Sequence, residues 1–203
     1  MKVIGHYLVD SGVKQLDCLK NRARMEGPEI IVVHYTAGRD ALSSAVNLSR
    51  YDTGASAHLV IGRNGRVYQL VPFHIQAGHA SQGSYQGRVN VNRFSVGIVL
   101  DNAGQLHREK GLFFSCFRQR YMPSEVYTDY SKGVISFWHR YTRVQMSRFM
   151  EVCELLMEKY PIGGVVKHSE ITPRKIDPGK AFGELRLECG RLVLTPPSMD
   201  AYL

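Results

Sequence analysis

The dipeptide Asn64-Gly65 constrains the fold more than any other feature of the chain. It separates two strand-like runs, residues 57–61 and 67–71, and an Asn-Gly pair supplies the positive φ angles of a tight hairpin turn. Adjacent antiparallel strands follow. Residues 29–36 form a short β-branched run closed by Thr36-Ala37-Gly38, the pattern of a buried strand. Residues 94–101 read as a central strand, with Val96, Ile98 and Leu100 on one face and Ser95, Gly97, Val99 and Asp101 on the other. Val165-Val166 is a further short strand leading into His168.

Helical signals alternate with these strands. Asp40 is a candidate N-cap for a helix to about Arg50, with Leu42, Ala45 and Val46 on one stripe. Thr142 and Gln145 fit a capping box. The helix they open runs to about Tyr160, because Phe149, Val152, Cys153, Leu156 and Tyr160 recur at spacings of three and four. Pro161 and Gly163-Gly164 stop it. Residues 1–28 read as an irregular or partly helical segment covering one side of the core. Residues 102–141, aromatic and polar without a clean period, read as a long irregular insertion packed on the body, with a groove wall as the alternative. After Phe182 one more short element precedes the Pro196-Pro197 tail.

The chain has 203 residues, 44% hydrophobic and 22% charged, with no internal repeat, which suits a single α/β domain spanning 1–203 with a central mixed β-sheet flanked by helices. No run approaches the roughly 18 apolar residues of a membrane helix, so membrane insertion is not expected. No apolar segment of signal-peptide type follows Met1-Lys2. The expectation is a protein cytoplasmic as synthesised, with any delivery to a cell wall by a route without a signal peptide. The net charge of +8 favours polyanionic partners. Its Lys and Arg residues are scattered and no recognition motif accompanies them, so nucleic acid is not the expected partner. Cys18, Cys116, Cys153 and Cys189 form no CxxC pair and read as free thiols, mostly small core residues.

The chemistry concentrates in residues 166–179. His168 and Asp177 are metal-type ligands, and Lys175 stands two residues before the second, so an extended backbone puts Lys175 and Asp177 on one side. A catalytic zinc takes three protein ligands plus an open position, so a third donor is required. The best one upstream is His34, which ends the apolar run Ile30-Ile31-Val32-Val33.

Five segments occur in an order that resembles a known family: His34-Tyr35-Thr36-Ala37-Gly38, Ser56-Ala57-His58-Leu59-Val60-Ile61, Gly65-Arg66-Val67-Tyr68-Gln69-Leu70-Val71-Pro72, Phe94-Ser95-Val96-Gly97-Ile98, and the stretch from His168 to Gly179. Across about residues 29–182 the chain resembles the zinc-dependent N-acetylmuramoyl-L-alanine amidases, the group related to peptidoglycan recognition proteins and amidase-type phage lysozymes. The resemblance implies Zn2+ held by His34, His168 and Asp177, and a peptidoglycan or muropeptide substrate. It implies hydrolysis of the amide between N-acetylmuramic acid and L-alanine. Lys175 takes the role of stabilising the oxyanion, and Tyr35, His58 and His79 fall in motifs that line the groove.

One departure stands out. Many relatives carry a glutamate general base at the position of Val99, and some phage-type relatives without it have a tyrosine at the position of Ala57. This chain has neither. Asp101, on the same strand face as Val99 and one pleat repeat or ~7 Å along, is the substitute candidate. The alternative that follows is a weakened or inactive amidase-like protein that binds peptidoglycan fragments.

Overall fold

The computed structural model describes residues 1–21, 23–25, 27–188, 191–198 and 202. Its centre is a six-stranded mixed sheet. The strands lie in the order Gly164–Lys167, Ile30–Tyr35, Ser95–Leu100, Leu59–Ile61, Val67–Gln69, Val13–Gln15. Every neighbouring pair is parallel except Leu59–Ile61 with Val67–Gln69, the hairpin that Asn64-Gly65 turns.

The two faces of this sheet have different tasks. Ile31, Val33, Val96, Ile98, Leu100, Leu59 and Ile61 point to one side, into the largest core cluster. There the helix Arg143–Lys159 covers them with Phe149, Val152, Cys153 and Leu156, all fully buried. Each such apolar side chain contributes roughly 1.5–3 kcal/mol. The period of two sends Val32, His34, Ser95, Gly97, Val99 and Val60 to the opposite side. This side is covered in two separate places. Ala41 and Ala45 of helix Ala41–Ser49 pack with Val60 and Val99, and Ile171 packs with Ile30 and Val32. Between the two lies the groove.

Helix Ala41–Ser49 starts where Asp40 accepts a hydrogen bond from the Ser43 N–H at 2.8 Å. Its buried stripe is Ala41 and Ala45, not the expected Leu42 and Val46, which are exposed. Ala41 and Ala45 are the residues that meet the sheet. Thr142 caps the long helix by accepting from the Gln145 N–H at 3.1 Å. The other half of the expected box is absent: the Gln145 amide instead donates to Ile61 O (2.9 Å) and Asp101 O (3.1 Å), tying the helix to the sheet.

Two irregular readings are corrected. Residues 1–28 hold no helix among the described residues but three short strands, Lys2–Ile4, Tyr7–Val9 and Val13–Gln15. Three residues are too few to show a period in sequence. Residues 102–141 form a five-stranded antiparallel sheet in the order Arg120–Tyr121, Leu112–Phe114, Gln105–Glu109, Ser136–His139, Val126–Asp129. Its core is Ala103, Leu106, Tyr121 and Val126, edged by Phe113, Phe117 and Phe137, and Trp138 joins it to the main core. A hairpin Glu184–Glu188 with Arg191–Thr195 follows Phe182. Of the cysteines, Cys18 and Cys153 are buried free thiols and Cys116 is an exposed one, while Cys189 lies outside the described residues. Among the described residues, no helix is long and apolar enough to cross a membrane.

Candidate metal centre and groove

Three polar side chains meet on the groove side of the sheet. His34 Nδ1 lies 3.0 Å from His168 Nδ1 and 3.0 Å from Asp177 Oδ2, and His168 Nδ1 lies 2.9 Å from the same carboxylate oxygen. The three residues are buried, at 6%, 3% and 8% exposure.

Each arrives from a different element. His34 is the fifth residue of its strand, on the face opposite Val33. Strand Gly164–Lys167 runs parallel beside it, pairing Lys167 with Val33, and delivers His168 as the first residue of the short helix His168–Ile171. Asp177 is set by three contacts around its turn. Its carbonyl accepts from Ser169 N–H at 3.0 Å, and the next carbonyl, of Pro178, accepts from Tyr141 Oη at 2.8 Å. Gly179, at φ +83°, lies flat against the Trp138 ring, where a Cβ would come within 2.6 Å. The antiparallel sheet thus buttresses the centre from behind. Trp138 and Tyr141 were not among the residues that sequence reasoning selected, because nothing in their spacing ties them to residues 177–179.

Charge states suit a cation. Burial lowers the pKa of His34 and keeps its ring neutral. Burial alone would raise Asp177, but a hydrogen bond from His168, with His34 close beside it, overrides this and holds the carboxyl below its usual range. Two imidazole nitrogens and a carboxylate oxygen lie mutually about 3 Å apart, positioned so that all three could ligate one cation. For ligand bonds of about 2.0–2.1 Å, a tetrahedron has edges of about 3.3–3.4 Å. The observed triangle is close to one face of it, and the donor set fits zinc.

The centre opens into a cavity of about 850 Å³ lined by Tyr35, Gly38, Asn47, His79, Asn92, Val99 and Lys175, among others. Lys175 and Asp177 face this cavity together, although the backbone between Thr172 and Lys175 is a turn, closed by Lys175 N–H to Thr172 O at 2.9 Å. Its ammonium charge acts on His34. Tyr35 is half-buried, and burial, with Asp177 nearby, pushes its hydroxyl up to about 12, so it stays an O–H donor. Ala37 bends the chain at the strand's end with φ +46° and carries Gly38 to the rim. The opposite rim, residues 54–56, hangs on Lys20, whose ammonium donates to Arg50 O (2.7 Å), Thr53 O (2.9 Å) and Ala55 O (2.7 Å).

Two expected site residues stand elsewhere. His58 is fully buried outside the cavity, with Nδ1 accepting from Gly97 N–H at 2.9 Å and Nε2 donating to Ile75 O at 2.9 Å. Burial lowers its pKa to about 4. Both nitrogens are committed to the backbone, so it is a structural residue and has no face for substrate. Asp101 is also outside the cavity. The strand ends at Leu100, alternation ends with it, and the carboxylate turns toward the Thr36 hydroxyl, Arg63 and the start of helix Ala41–Ser49. It therefore cannot replace a base at position 99. The insertion 102–141 contributes no lining residue among the described ones. Val99 does line the groove, directly beside His34 in the paired strand. Ala57, by contrast, is completely buried in the cluster under the helix.

Residues 22–180 match the Amidase_2 family model, described as N-acetylmuramoyl-L-alanine amidase. The chain is 32% identical over 146 residues to the 1,6-anhydro-N-acetylmuramyl-L-alanine amidase AmpD of Citrobacter freundii, covering 70% of this chain and 59% of that one. It is 29% identical over 187 residues to the N-acetylmuramoyl-L-alanine amidase AmiD of Escherichia coli K12, covering 86% and 58%. The chain thus spans a little over half the length of these curated relatives. A selenomethionine derivative of AmpD shares the fold, with TM-score 0.59 at 24% identity over 88% of this chain and 93% of that one. E. coli AmiD, solved with anhydro-N-acetylmuramic acid-L-Ala-D-γ-Glu-L-Lys, gives TM-score 0.57 at 28% identity over 78% and 55%. By the family match across residues 22–180, this chain belongs to the N-acetylmuramoyl-L-alanine amidase family.

Proposed function

We propose that the protein is a zinc-dependent amidase that cleaves the bond between the lactyl group of N-acetylmuramic acid and L-alanine in peptidoglycan or muropeptides. The observation that carries this reading is the convergence of His34, His168 and Asp177 at the bottom of an open groove with Lys175 beside them. These three residues would hold the ion, which when bound supplies Lewis acidity and acidifies a coordinated water. Lys175 presents a positive charge where the amide oxygen gains negative charge, an interaction stronger in the transition state than with the neutral amide. Tyr35 offers a protonated hydroxyl to a polar group of the substrate. The groove's size, about 850 Å³, suits a sugar with a short peptide.

A second reading has its own observation. Val99 occupies the groove beside His34 and cannot move a proton, and Asp101 points away. General acid–base assistance is worth about 10²–10⁴-fold, so a fragment-binding protein with slow turnover is the alternative. Mass spectrometry of a defined muropeptide incubated with zinc-loaded protein separates the two. Stem-peptide release by the natural protein and none by His168→Ala supports the amidase. Tight muropeptide binding without release over long incubation supports the binder. Neither binding nor release overturns both.

A further inference from the structure

Beside His34, starting at the groove wall and running into the protein, a chain of buried polar groups has a fixed direction. His34 Nε2 lies 3.1 Å from His79 Nδ1. The far nitrogen of His79, Nε2, lies 3.2 Å from Ser95 Oγ and 3.5 Å from Ser95 O. The Ser95 hydroxyl in turn donates to Val91 O at 2.7 Å.

The carbonyls end the ambiguity. A backbone carbonyl only accepts, and a hydroxyl has one proton to give. With that proton given to Val91 O, Ser95 offers His79 only lone pairs. His79 Nε2 must therefore carry a hydrogen, and in a neutral ring Nδ1 is then bare. A bare Nδ1 accepts from His34, so His34 carries its hydrogen on Nε2 and leaves Nδ1 as a lone pair aimed at His168 and Asp177. Both groups lie inside the protein, His79 8% exposed and Ser95 fully buried, so water does not compete for these partners.

The surrounding backbone is shaped for this ring. Gly97 lies under it, where a Cβ would fall 2.4 Å from His79 Cγ. Asn92 Oδ1 accepts from the N–H groups of His79 (3.1 Å) and Ala80 (2.8 Å), fixing the backbone that carries the imidazole.

We infer that His79 and Ser95 are positioning residues for the metal centre: together they lock His34 in the tautomer that presents Nδ1 to the ion. The inference rests on reading the triangle as a zinc site, yet part of its test needs no metal. Metal ligands whose outer partners are removed lose about 10–100-fold in affinity.

The test uses the full chain as His79→Leu, Ser95→Ala and Ser95→Thr, with 15N imidazole spectra of the metal-free proteins at pH 8 and zinc affinity by chelator competition. In the natural protein, His34 should appear as one tautomer with bare Nδ1. His79→Leu should give a mixture and bind zinc 10–100-fold more weakly; Ser95→Ala should shift both readouts in the same direction by less, and Ser95→Thr should restore them. Should His79→Leu fail to fold, Ser95→Ala against Ser95→Thr carries the test. Unchanged tautomer and affinity in the folded variants overturns the inference. A fixed tautomer in a natural protein that binds no zinc overturns the metal reading instead, and the inferred role with it.

Discussion

Val99→Glu is the substitution on which the catalytic reading turns. Val99 is cross-strand neighbour to His34, on the same face of the sheet, and 6% exposed at the groove wall. Neighbouring strands are about 4.8 Å apart, so a glutamate here, one carbon and its carboxylate oxygens longer than valine, would extend into the groove beside His34. If a proton acceptor is what the site lacks, turnover rises by about 10²–10⁴-fold, or roughly 3–5 kcal/mol of barrier. The gain carries a stability cost. The valine leaves a cluster with Ala57, Val60 and Tyr68, which forfeits about 1.5–2 kcal/mol of burial, and partial desolvation of the carboxyl adds about 1–3 kcal/mol. The expected variant is faster and melts lower. The assay is stem-peptide release under single-turnover conditions, with zinc content and melting temperature measured on the same samples and Val99→Gln as the isosteric control. Equal rates for the Glu and Gln variants, both folded and zinc-loaded, would falsify the idea that position 99 is where a base is missing.

Other outcomes follow from the same geometry. Lys175→Gln should lower kcat by about 10²–10³-fold, the range for losing one charge-stabilising donor, with zinc content unchanged by metal analysis. Gly179→Ala puts a methyl into the Trp138 ring at a φ of +83°; it should cost about 1–3 kcal/mol in denaturant unfolding and weaken zinc binding by disturbing the Asp177 turn. Acid stability should be set by buried histidines. Burial depresses His58 to about 4 and His139 to about 3, so the native state binds fewer protons than the unfolded chain. Stability from these two rings is complete above about pH 6.5 and is lost as pH falls through the folded values. Asp101, raised by burial to about 6, acts in the opposite sense, stabilising at low pH and losing that as pH rises from about 4 to 6. The two histidines together outweigh one carboxyl, so the melting temperature should drop from pH 7 to pH 5. A flat profile over that range, by calorimetry, refutes it.

The parts of this fold legible in sequence were those with short-range rules. The Asn64-Gly65 hairpin is present, although only Gly65 takes a positive φ (+78°) and Asn64 does not, and Thr142 and Asp40 cap their helices within three residues. The metal-type triangle was legible because His34, His168 and Asp177 are ligand types with few alternatives. What escaped depends on contacts between distant segments. The second sheet was read as irregular because its turns use unusual residues: Lys110-Gly111 takes the two positive φ angles, +49° and +82°, expected of an Asn-Gly turn, but lysine gives no signal for it. His58 looked like a groove residue by its place in a motif, and only three-dimensional placement shows both its nitrogens given to Gly97 and Ile75. Asp101 failed as a substitute base because alternation holds inside a strand and stops at its end.

The Lys20 ammonium, clasping three carbonyls of the loop from Arg50 to Ala55, bears on where the functional unit begins. It precedes both the family match at residue 22 and the motif region from residue 29. A truncated protein cut at either border would keep every candidate ligand and yet release one lip of the cleft. Its ability to grip a sugar–peptide would then degrade before its ability to capture a metal. Minimal versions of this protein made for assay or engineering should therefore keep Lys20, since the border of sequence likeness falls just after a residue that holds the rim.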